Sequence, residues 1–465
     1  MYNKYNKDSN KVKKLIEISF LFFLTMVIFS GCENISNKQE PLGAVKVELK
    51  NENGYYQLYC DGKPFYIKGA GLEGGSIEAL AQNGGNSFRT WSTESKFKTG
   101  KETLDEAQKY GLMVCMGIDI ARERHGFDYN DTALVSEQFY RVKNEVLKYK
   151  DHPALLCWGI GNELNLNYTN PKVWDAVNDI ASMIHEIDPN HPVTTMFAGA
   201  GKTEVEYVME RCPQIDFLSF QIYGDIMNLP KYIKESGWEG AYIVSEWGTI
   251  GHWEVPATSW GRPIEPSSHE RALSLIDWYN NVIASDKKQC IGSYVFLWGQ
   301  KQERTPTWYG LFLEDGSSTE AVDAMYFLWN GKWPENRAPI LDYLTLNGHK
   351  SSDNVYLEPG KKYSAKVGVT EPDGDAVAYR WEILAEIPEN QQSEGGDYER
   401  KPVSVFNVNT GIGIDRVEFT APTKEGAYRI FVYASDDKNK TANSNIPFYV
   451  KEHQITMAKE IIYQK

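Results

Sequence analysis

Short apolar runs alternate with longer stretches of mixed character between about residues 64 and 330. Each short run is almost continuously apolar, which is typical of a strand whose two faces are both buried in a parallel sheet. The longer stretches repeat apolar residues at steps of three and four, the spacing of an amphipathic helix. The apolar runs are 64–71, 84–91, 111–119, 155–163, 192–199, 216–224, 241–248 and 292–299. The pattern therefore predicts eight strands that alternate with helices.

Eight strand–helix repeats over this length predict a (β/α)8 barrel, the TIM-barrel form of the α/β class, which typically takes about 250 residues. A doubly wound open sheet is the alternative, but it would usually have fewer strands and a glycine-rich nucleotide turn. The stretch GAGLEGG (69–75) lacks that spacing, and no helical pattern opens directly behind it. Residues 44–61 predict a hairpin that turns at Asn53-Gly54 and covers the lower end of the barrel. We assign 44–335 to the barrel domain.

The pattern changes after Pro334 and Pro339 to short alternating strands separated by turn residues. This predicts an immunoglobulin-like β-sandwich over residues 340–452, without a cysteine pair. The sandwich shows no dense aromatic stripe, so we expect it to act as a spacer.

The segment TEPDGDAVAYRWEI (370–383) resembles the polycystic-kidney-disease-type and cadherin-like modules of secreted bacterial enzymes. Asp373 and Asp375 are therefore candidate Ca²⁺ ligands. An ordinary acidic turn explains the same residues from turn chemistry alone. We favour that interpretation and predict no metal site.

The first residues have the features of a bacterial export signal. Three lysines precede the segment 15–32, an apolar run that ends in small residues and Cys32. The sequence FSGC resembles a lipobox, which implies a signal peptide over 1–31, acylation of Cys32 and a polar tether over 32–43. We therefore expect the protein in the bacterial cell envelope, on the outer-membrane surface or the periplasmic face, held to the membrane by its lipid alone.

Composition narrows the classes of partner. The net charge of −14 argues against nucleic acid and polyanionic substrates. The aromatic content of 13% is high, and flat aromatic faces stack well on sugar rings. The cysteines after Cys32 are widely spaced, with no CxxC pair, so neither a disulfide framework nor a zinc site is indicated. We expect a monomer that uses no cofactor and acts on a neutral polysaccharide or oligosaccharide.

The predicted strands end on an unusual set of polar and aromatic residues. In a barrel of this type the chemistry lies at the C-terminal ends of the strands, so side chains there share one cavity. A glutamate after a strand is more often a surface charge or a helix N-terminal charge than a catalyst. A joint set spread over five strands is hard to obtain by chance. These candidate site residues are Arg89, Trp91, Asn162, Glu163, Tyr223, Glu246 and Trp298.

Glu163 and Glu246 suggest the chemistry. Two carboxyl groups that face one cavity are what the cleavage of a glycosidic bond requires, one neutral as the acid and one ionised as the nucleophile. Burial and mutual repulsion would separate their pKa values in that sense. Arg89 would favour the ionised form of the nucleophile, and Tyr223 could donate a hydrogen bond to the same carboxylate.

Two further strand-end residues have expected substrate contacts. Asn162 could hold the sugar 2-hydroxyl, a contact that strengthens at the transition state. Trp298 would form a floor for the sugar ring at the cleavage point.

The motifs NSFRTW (86–91), HPALLCWGIGNELN (152–165), FQIYG (220–224), VSEWG (244–248) and YVFLWG (294–299) resemble the clan A retaining glycoside hydrolases. In that clan the acid/base follows an asparagine at the end of the fourth strand, and the nucleophile ends the seventh. The resemblance covers about residues 44–335. It implies that Glu163 is the acid/base and Glu246 the nucleophile, with Arg89, Asn162, Tyr223 and Trp298 as site residues.

Within the clan, the barrel is similar to family 2 barrels without their leading sandwich domains. A barrel followed by one immunoglobulin-like domain on a lipoprotein looks most like glycoside hydrolase family 158. That resemblance implies an endo-β-1,3-glucanase that cleaves laminarin-type glucans by double displacement, with its two carboxyl groups about 5–5.5 Å apart. The alternatives are an exo-acting glycosidase or a transglycosylase of the same clan, and a non-catalytic surface glycan-binding lipoprotein.

Long loops after the seventh and eighth strands are the expected determinants of specificity. They carry Trp253, Trp260, Trp308 and Tyr309, which are candidate platforms for sugar rings. Trp308 is assigned to substrate binding. His125, in the loop after the third strand, is a candidate ligand of a sugar hydroxyl.

Overall fold

A computed structural model describes residues 43–72, 74–393 and 397–451 of the chain. The predicted signal peptide, Cys32 and the tether up to residue 42 lie outside the described residues. Within the described ranges, no helix combines the length and the apolar character needed to cross a membrane.

The described chain begins with three antiparallel strands, β1 (Val47–Glu52), β2 (Tyr55–Cys60) and β3 (Lys63–Phe65). Asn53 and Gly54 both have positive φ, 58° and 83°, as a two-residue hairpin turn of the primed type requires. Apolar side chains of this sheet pack against residues in the lower half of the barrel. The predicted hairpin therefore covers the amino-terminal ends of the barrel strands.

Eight parallel strands close into a barrel in chain order, with the last pairing with the first. They are almost entirely buried, which explains why their sequences are continuously apolar. The predicted (β/α)8 fold is confirmed. The strands are β4 (Ile67–Gly71), β5 (Ser87–Arg89), β6 (Met113–Ile118), β7 (Leu155–Ile160), β8 (Val193–Ala198), β9 (Phe217–Gln221), β10 (Tyr242–Glu246) and β11 (Cys290–Val295).

Amphipathic helices pack around the barrel with their apolar faces inward. The helix after β6 begins at Thr132, because the Asp131 side chain caps it by accepting hydrogen bonds from two backbone N–H groups. The helices are α1 (Ile77–Gln82), α2 (Gly100–Lys109), α3 (Thr132–Tyr149), α4 (Lys172–Ile187), α5 (Lys202–Arg211), α6 (Leu229–Ser236), α7 (Ser268–Trp278) and α8 (Glu320–Asn330).

A two-sheet sandwich follows the barrel and has its own apolar core. One sheet has the order β12-β14-β17 and the other β13-β19-β18-β15-β16. The strands are β12 (Ile340–Leu346), β13 (Val355–Leu357), β14 (Lys362–Thr370), β15 (Ala378–Ala385), β16 (Ser404–Ile412), β17 (Arg416–Thr420), β18 (Gly426–Ser435) and β19 (Thr441–Val450).

Buried polar contacts join the sandwich to the barrel. Arg271 of α7 donates hydrogen bonds to the Trp308 carbonyl (2.9 Å) and to the Asn443 Oδ1 of β19 (3.1 Å). Arg429 of β18 donates to the Pro263 carbonyl of a barrel loop (2.8 Å). Both arginines are buried. Because a buried guanidinium that loses its acceptors is costly, these contacts favour one orientation of the two domains.

The two candidate Ca²⁺ ligands of the sandwich point to different partners. Asp373 accepts a hydrogen bond from the Arg337 backbone N–H (2.6 Å), and Asp375 pairs with Lys438 (2.7 Å). Carboxylate oxygens of Asp375, Glu371 and Asp436 lie within 4.8 Å of one another. Asp373 therefore contacts the linker before β12 and is not a member of this group of carboxylates.

Candidate active site

Glu163 and Glu246 lie at the C-terminal end of the barrel. Glu246 is the last residue of β10, and Glu163 follows β7 after a short turn. Both line one cavity of about 1120 Å³. Pockets that hold one small ligand are typically about 300–1,000 Å³, so this cavity has room for more than one sugar ring.

The backbone at Glu163 is unusual. Its φ of 50° lies in the left-handed region, which costs a residue with a Cβ about 1 kcal/mol or more. Its N–H donates to the Met196 carbonyl of β8 (3.0 Å), and its own carbonyl accepts from the Leu166 N–H (3.1 Å) and the Arg124 Nη1 (2.7 Å). These contacts hold the turn that directs the carboxyl group into the cavity.

Glu246 is surrounded by hydrogen-bond donors. Its Oε1 accepts from the Arg89 Nη1 (2.9 Å), the Trp91 Nε1 (3.0 Å) and the Gln221 Nε2 (3.0 Å). Its Oε2 accepts from the Tyr223 hydroxyl (2.7 Å). Four donors, one of them a buried guanidinium, surround this carboxyl group and stabilise negative charge on it.

The protonation of Tyr223 supports this arrangement. Burial, together with the charge of Glu246, holds the pKa of the Tyr223 hydroxyl well above its ordinary value. The hydroxyl therefore keeps its proton at neutral pH and acts as the donor of the hydrogen bond to Glu246.

Asn162 is oriented by its neighbours. Its Oδ1 accepts from the Arg89 Nη2 (2.7 Å) and the Gln221 Nε2 (2.7 Å). The Arg89 and Gln221 nitrogens are both donors. The Asn162 amide must therefore turn its oxygen toward them and its NH2 group away from them. Among the described residues that NH2 donates to no other group, and Asn162 lines the cavity. A hydrogen-bond donor is thus available to a substrate hydroxyl.

Glu163 has the opposite environment. None of the described residues donates a hydrogen bond to its carboxyl group. Burial raises the pKa of Glu163 to about 8, and the negative charge of Glu246 adds to the rise, against the opposing charges of Arg124 and Arg89. The carboxyl is therefore protonated at neutral pH. One cavity holds a neutral acid and an ionised carboxylate, the division that general acid catalysis and nucleophilic attack require.

Residues 76–252 match the family model for the TIM barrel domain of family 2 glycosyl hydrolases. This segment is therefore similar to a glycoside hydrolase barrel domain. It extends from the N-terminal cap of α1 to the loop after β10, so it contains both Glu163 and Glu246.

Several solved structures are similar to this chain. The FMN-binding β-glucuronidase from Facaelibacterium prausnitzii L2-6 is 14% identical, with a TM-score of 0.47, over 87% of this chain and 59% of that one. The Bifidobacterium dentium β-glucuronidase complexed with coumarin-3-O-glucuronide is 18% identical, with a TM-score of 0.46, over 62% and 49%. The family 5 mannosidase from Rhizomucor miehei is 12% identical, with a TM-score of 0.43, over 61% and 97%.

The chain thus spans about half the length of the two β-glucuronidases. No curated protein matches the sequence.

The structure brings most of the predicted site residues of the barrel together. Arg89, Asn162 and Tyr223 contact one another or Glu246 directly. The Trp91 Nε1 also donates a hydrogen bond to Glu246. The Arg89 guanidinium lies over the Trp91 ring, 4.7 Å from the ring centroid. The catalytic and binding roles of these residues stay predictions.

Two residues that were predicted to contact a sugar, Trp298 and Trp308, do not face the cavity. Trp298 is fully buried and faces the helix layer, where its Nε1 donates to the Ser76 carbonyl and its ring packs beside Trp329. Trp308 is also fully buried, and its Nε1 donates to the Ile250 carbonyl. Neither lines the cavity. These tryptophans pack behind the residues that form the cavity wall.

The other loop aromatics divide between the cavity and the domain interface. Trp253 and Tyr309 line the cavity, and Trp253 is 61% exposed. Trp260 instead packs against Tyr356 of the sandwich.

His125 does not line the cavity either, because its Nε2 lies 3.4 Å from an Asp397 carboxylate oxygen of the sandwich. A contact between the domains replaces the predicted contact with a sugar hydroxyl.

Sequence reasoning missed several residues of the site. Gln221 joins Asn162 to Glu246, and its position at the end of an apolar strand was the signal that could have found it. Phe296 lines the cavity where Trp298 was expected. Arg124, hidden in a run of charged residues, contacts the backbone of Glu163.

The sandwich also reaches the site. Ser393, Asp397, Tyr398 and Glu399, from the segment between β15 and β16, line the cavity together with the barrel. The expectation that the sandwich is only a spacer is therefore wrong.

Proposed function

We propose that the protein is a retaining β-glycoside hydrolase. The observation that carries the proposal is the asymmetry of the two carboxyl groups: Glu246 accepts four hydrogen bonds, whereas Glu163 has none from the described residues and a raised pKa. Inverting and retaining enzymes both use two carboxyl groups, and the retaining class places them about 5–5.5 Å apart. The match of the barrel to a glycoside hydrolase domain supports the same reaction class.

In the first step, the Glu246 carboxylate attacks the anomeric carbon while Glu163 transfers its proton to the leaving oxygen. The bond from the anomeric carbon to that oxygen breaks as the glycosyl-enzyme ester forms. In the second step Glu163, now ionised, removes a proton from water, which attacks the anomeric carbon and releases Glu246. The Asn162 NH2 is placed to bind the hydroxyl beside the reacting carbon.

We further propose an endo-β-1,3-glucanase that acts on laminarin-type glucans. The resemblance of a barrel with one immunoglobulin-like domain to family 158 is the basis for this linkage. The size of the cavity supports a substrate of several sugar units. An exo-acting glycosidase or a transglycosylase of the same clan is the second candidate.

The charges of the cavity favour a neutral substrate, because carboxylates outnumber cations and would repel a polyanion. The carboxylates that line it, apart from the protonated Glu163, are Asp225, Glu246, Glu254, Glu303, Asp397 and Glu399, and the cations are Lys96, Arg122, Arg124, Lys301 and Arg304.

One experiment tests the reaction and the linkage together. The wild-type protein is incubated with β-1,3-glucan, β-1,4-glucan, mixed-linkage glucan and β-mannan, and the products are separated by size. We expect a ladder of oligomers from β-1,3-glucan, whose new reducing ends have the β configuration when first formed, as NMR would record. Release of a single small sugar would instead support the exo-acting candidate.

Two variants make the test specific to the carboxyl groups. Glu163→Gln removes the acid and should lower kcat/KM on the polymer by about 10²–10⁴-fold. Glu246→Gln removes the nucleophile and should abolish turnover on both the polymer and an activated aryl glycoside. Because an activated leaving group needs no proton, Glu163→Gln should still release it in the first step. Hydrolysis by either variant at the wild-type rate on the polymer would refute the enzyme proposal.

A further inference from the structure

The described residues between β15 and β16, 386–393 and 397–403, are here called the sandwich loop. Its described part supplies four residues to the wall of the cavity that contains Glu163 and Glu246. The cavity is therefore built by two domains, although the carboxyl groups come from the barrel alone.

A buried carboxylate fastens the sandwich loop to the barrel. Glu399 accepts from the Arg304 Nη1 (2.8 Å), from the Arg304 backbone N–H (2.5 Å) and from the Gln302 Nε2 (3.3 Å). It also accepts from the Ser393 backbone N–H of its own loop (3.1 Å). Its side chain is completely buried, so its negative charge depends on these donors. This residue is the main anchor of the loop.

Two further contacts hold the loop on either side of this anchor. Asp397 lies 3.4 Å from the His125 Nε2, in the barrel loop after β6. Lys401 lies 2.5 Å from a Glu314 carboxylate oxygen, in the segment between β11 and α8. The loop is thus tied to two different parts of the barrel mouth.

Tyr398 lies between two of these anchored residues. Its side chain lines the cavity and is 87% exposed, and within the described chain neither its hydroxyl nor its ring has a partner. Its backbone is held in place by the neighbours on both sides, while its ring is free to receive a ligand.

Tyr398 is not alone at the mouth. Phe97, 57% exposed, and Trp253, 61% exposed, line the same cavity. Trp253 follows β10, which lies opposite β6 in the closed order of eight strands, whereas Asp397 ties Tyr398 to the loop after β6. Exposed aromatic residues that gather around one cavity indicate a binding surface. Single exposed aromatic residues scattered over a protein do not.

We propose that Tyr398 forms a sugar-binding subsite beyond the bond that is cleaved, so that the sandwich domain determines the length of chain the enzyme prefers. The ligand is a neutral β-linked pyranose ring, whose apolar face would pack on the tyrosine ring. Glu399 is a positioning residue, because it holds the loop without reaching the substrate. The inference rests on the glycosidase proposal above.

The test uses β-1,3-gluco-oligosaccharides of two to six units and measures kcat/KM for each length in the full-length protein. Tyr398→Ala should lower kcat/KM about tenfold for the longest oligosaccharides and leave the shortest unchanged, since a stacked aromatic contact is worth that much. Tyr398→Phe keeps the ring face and should retain the wild-type values at every length.

Tyr140→Ala is the matched control, because Tyr140 is also exposed (62%) but lies on α3, away from the cavity. It should leave kcat/KM unchanged at every length. Equal values for Tyr398→Ala and wild type at all lengths, or an equal loss at all lengths, would overturn the subsite while leaving the glycosidase proposal intact. A wild-type protein that cleaves no oligosaccharide and no polymer would overturn the proposed function itself.

Discussion

At the scale of single residues, the environments of two glutamates differ more than their sequence contexts do. Both follow buried strands. A glycine lies two residues from each of them, Gly161 before Glu163 and Gly248 after Glu246. Glu246 is held by Arg89, Trp91, Gln221 and Tyr223, which stabilise its negative charge. Glu163 receives no such donors from the described residues, so burial governs its pKa. The same residue type therefore has two protonation states in one cavity.

The raised pKa of Glu163 predicts an alkaline limit to activity. A general acid must be protonated, so kcat/KM should fall as the pH rises through about 8, approaching a tenfold loss per pH unit above it. A pH profile of kcat/KM on the polymer measures this alkaline decline. The profile of Glu163→Gln should show no such decline. A wild-type profile that stays flat to pH 10 would contradict the assignment of Glu163 as the acid.

The same shift has a consequence for stability. The pKa of about 8 in the folded protein is above the ordinary value of 4.5, so the folded state binds this proton more tightly than the unfolded state. The resulting stabilisation is fully present below pH 4.5 and is lost as the pH rises through 8. Glu163→Gln, which carries no titrating group, should therefore become more stable relative to wild type as the pH rises across that window.

At the scale of elements, the site depends on how closely the ends of β5 and β6 approach each other. Gly117 lies in β6, and a Cβ placed there would be 2.4 Å from the Thr90 carbonyl oxygen and 2.6 Å from the Trp91 carbonyl carbon. Real Cβ atoms do not come so close to backbone. The absence of a side chain at Gly117 thus lets β5 present Arg89 and Trp91 to Glu246.

Gly117→Ala should therefore separate these two strand ends. We expect a loss of about 1–3 kcal/mol in the free energy of unfolding, as for overpacking in a core, together with a fall in kcat. Urea denaturation and kinetics on the same preparation measure the two effects. Gly201→Ala is the control, because a Cβ there meets only the end of the flexible Glu204 side chain. Wild-type stability and activity in Gly117→Ala would refute the close-approach argument.

At the scale of the whole molecule, the sandwich is part of the cavity that contains Glu163 and Glu246. Its loop forms part of the cavity wall, and its strands are joined to the barrel through the buried arginines Arg271 and Arg429. Domains within one chain move relative to one another by default unless their interface is extensive. The buried polar contacts oppose such movement, and this keeps the cavity wall in place.

Arg271→Met tests this coupling. It removes hydrogen bonds to the Thr307 and Trp308 carbonyls and to Asn443, and should lower the free energy of unfolding by about 2–4 kcal/mol. Urea denaturation measures the change. Arg141→Met, at an exposed ion pair on α3, should change it by less than about 0.5 kcal/mol. Equal stabilities for the two variants would argue against the interface as a source of stability.

The sequence by itself determined the barrel and most of the residues that surround Glu246. Both follow from local rules: buried parallel strands are continuously apolar, and the C-terminal ends of those strands meet at one mouth. Arg89, Asn162, Tyr223 and Glu246 could be named for that reason alone. The predicted strands of the sandwich followed in the same way from their alternating pattern.

Only the tertiary structure decided which aromatic residues face the cavity. Phe296 and Trp298 both stand at the end of the eighth barrel strand, and nothing in their spacing shows that Trp298 packs against the helix layer. Tyr398 belongs to another domain and reaches the cavity through the contacts of Glu399 with Arg304. Such contacts join residues far apart in the chain, so no local pattern of apolar and polar positions encodes them. The chain therefore specifies its carboxyl groups locally, but the wall of the cavity around them is complete only when barrel and sandwich pack together.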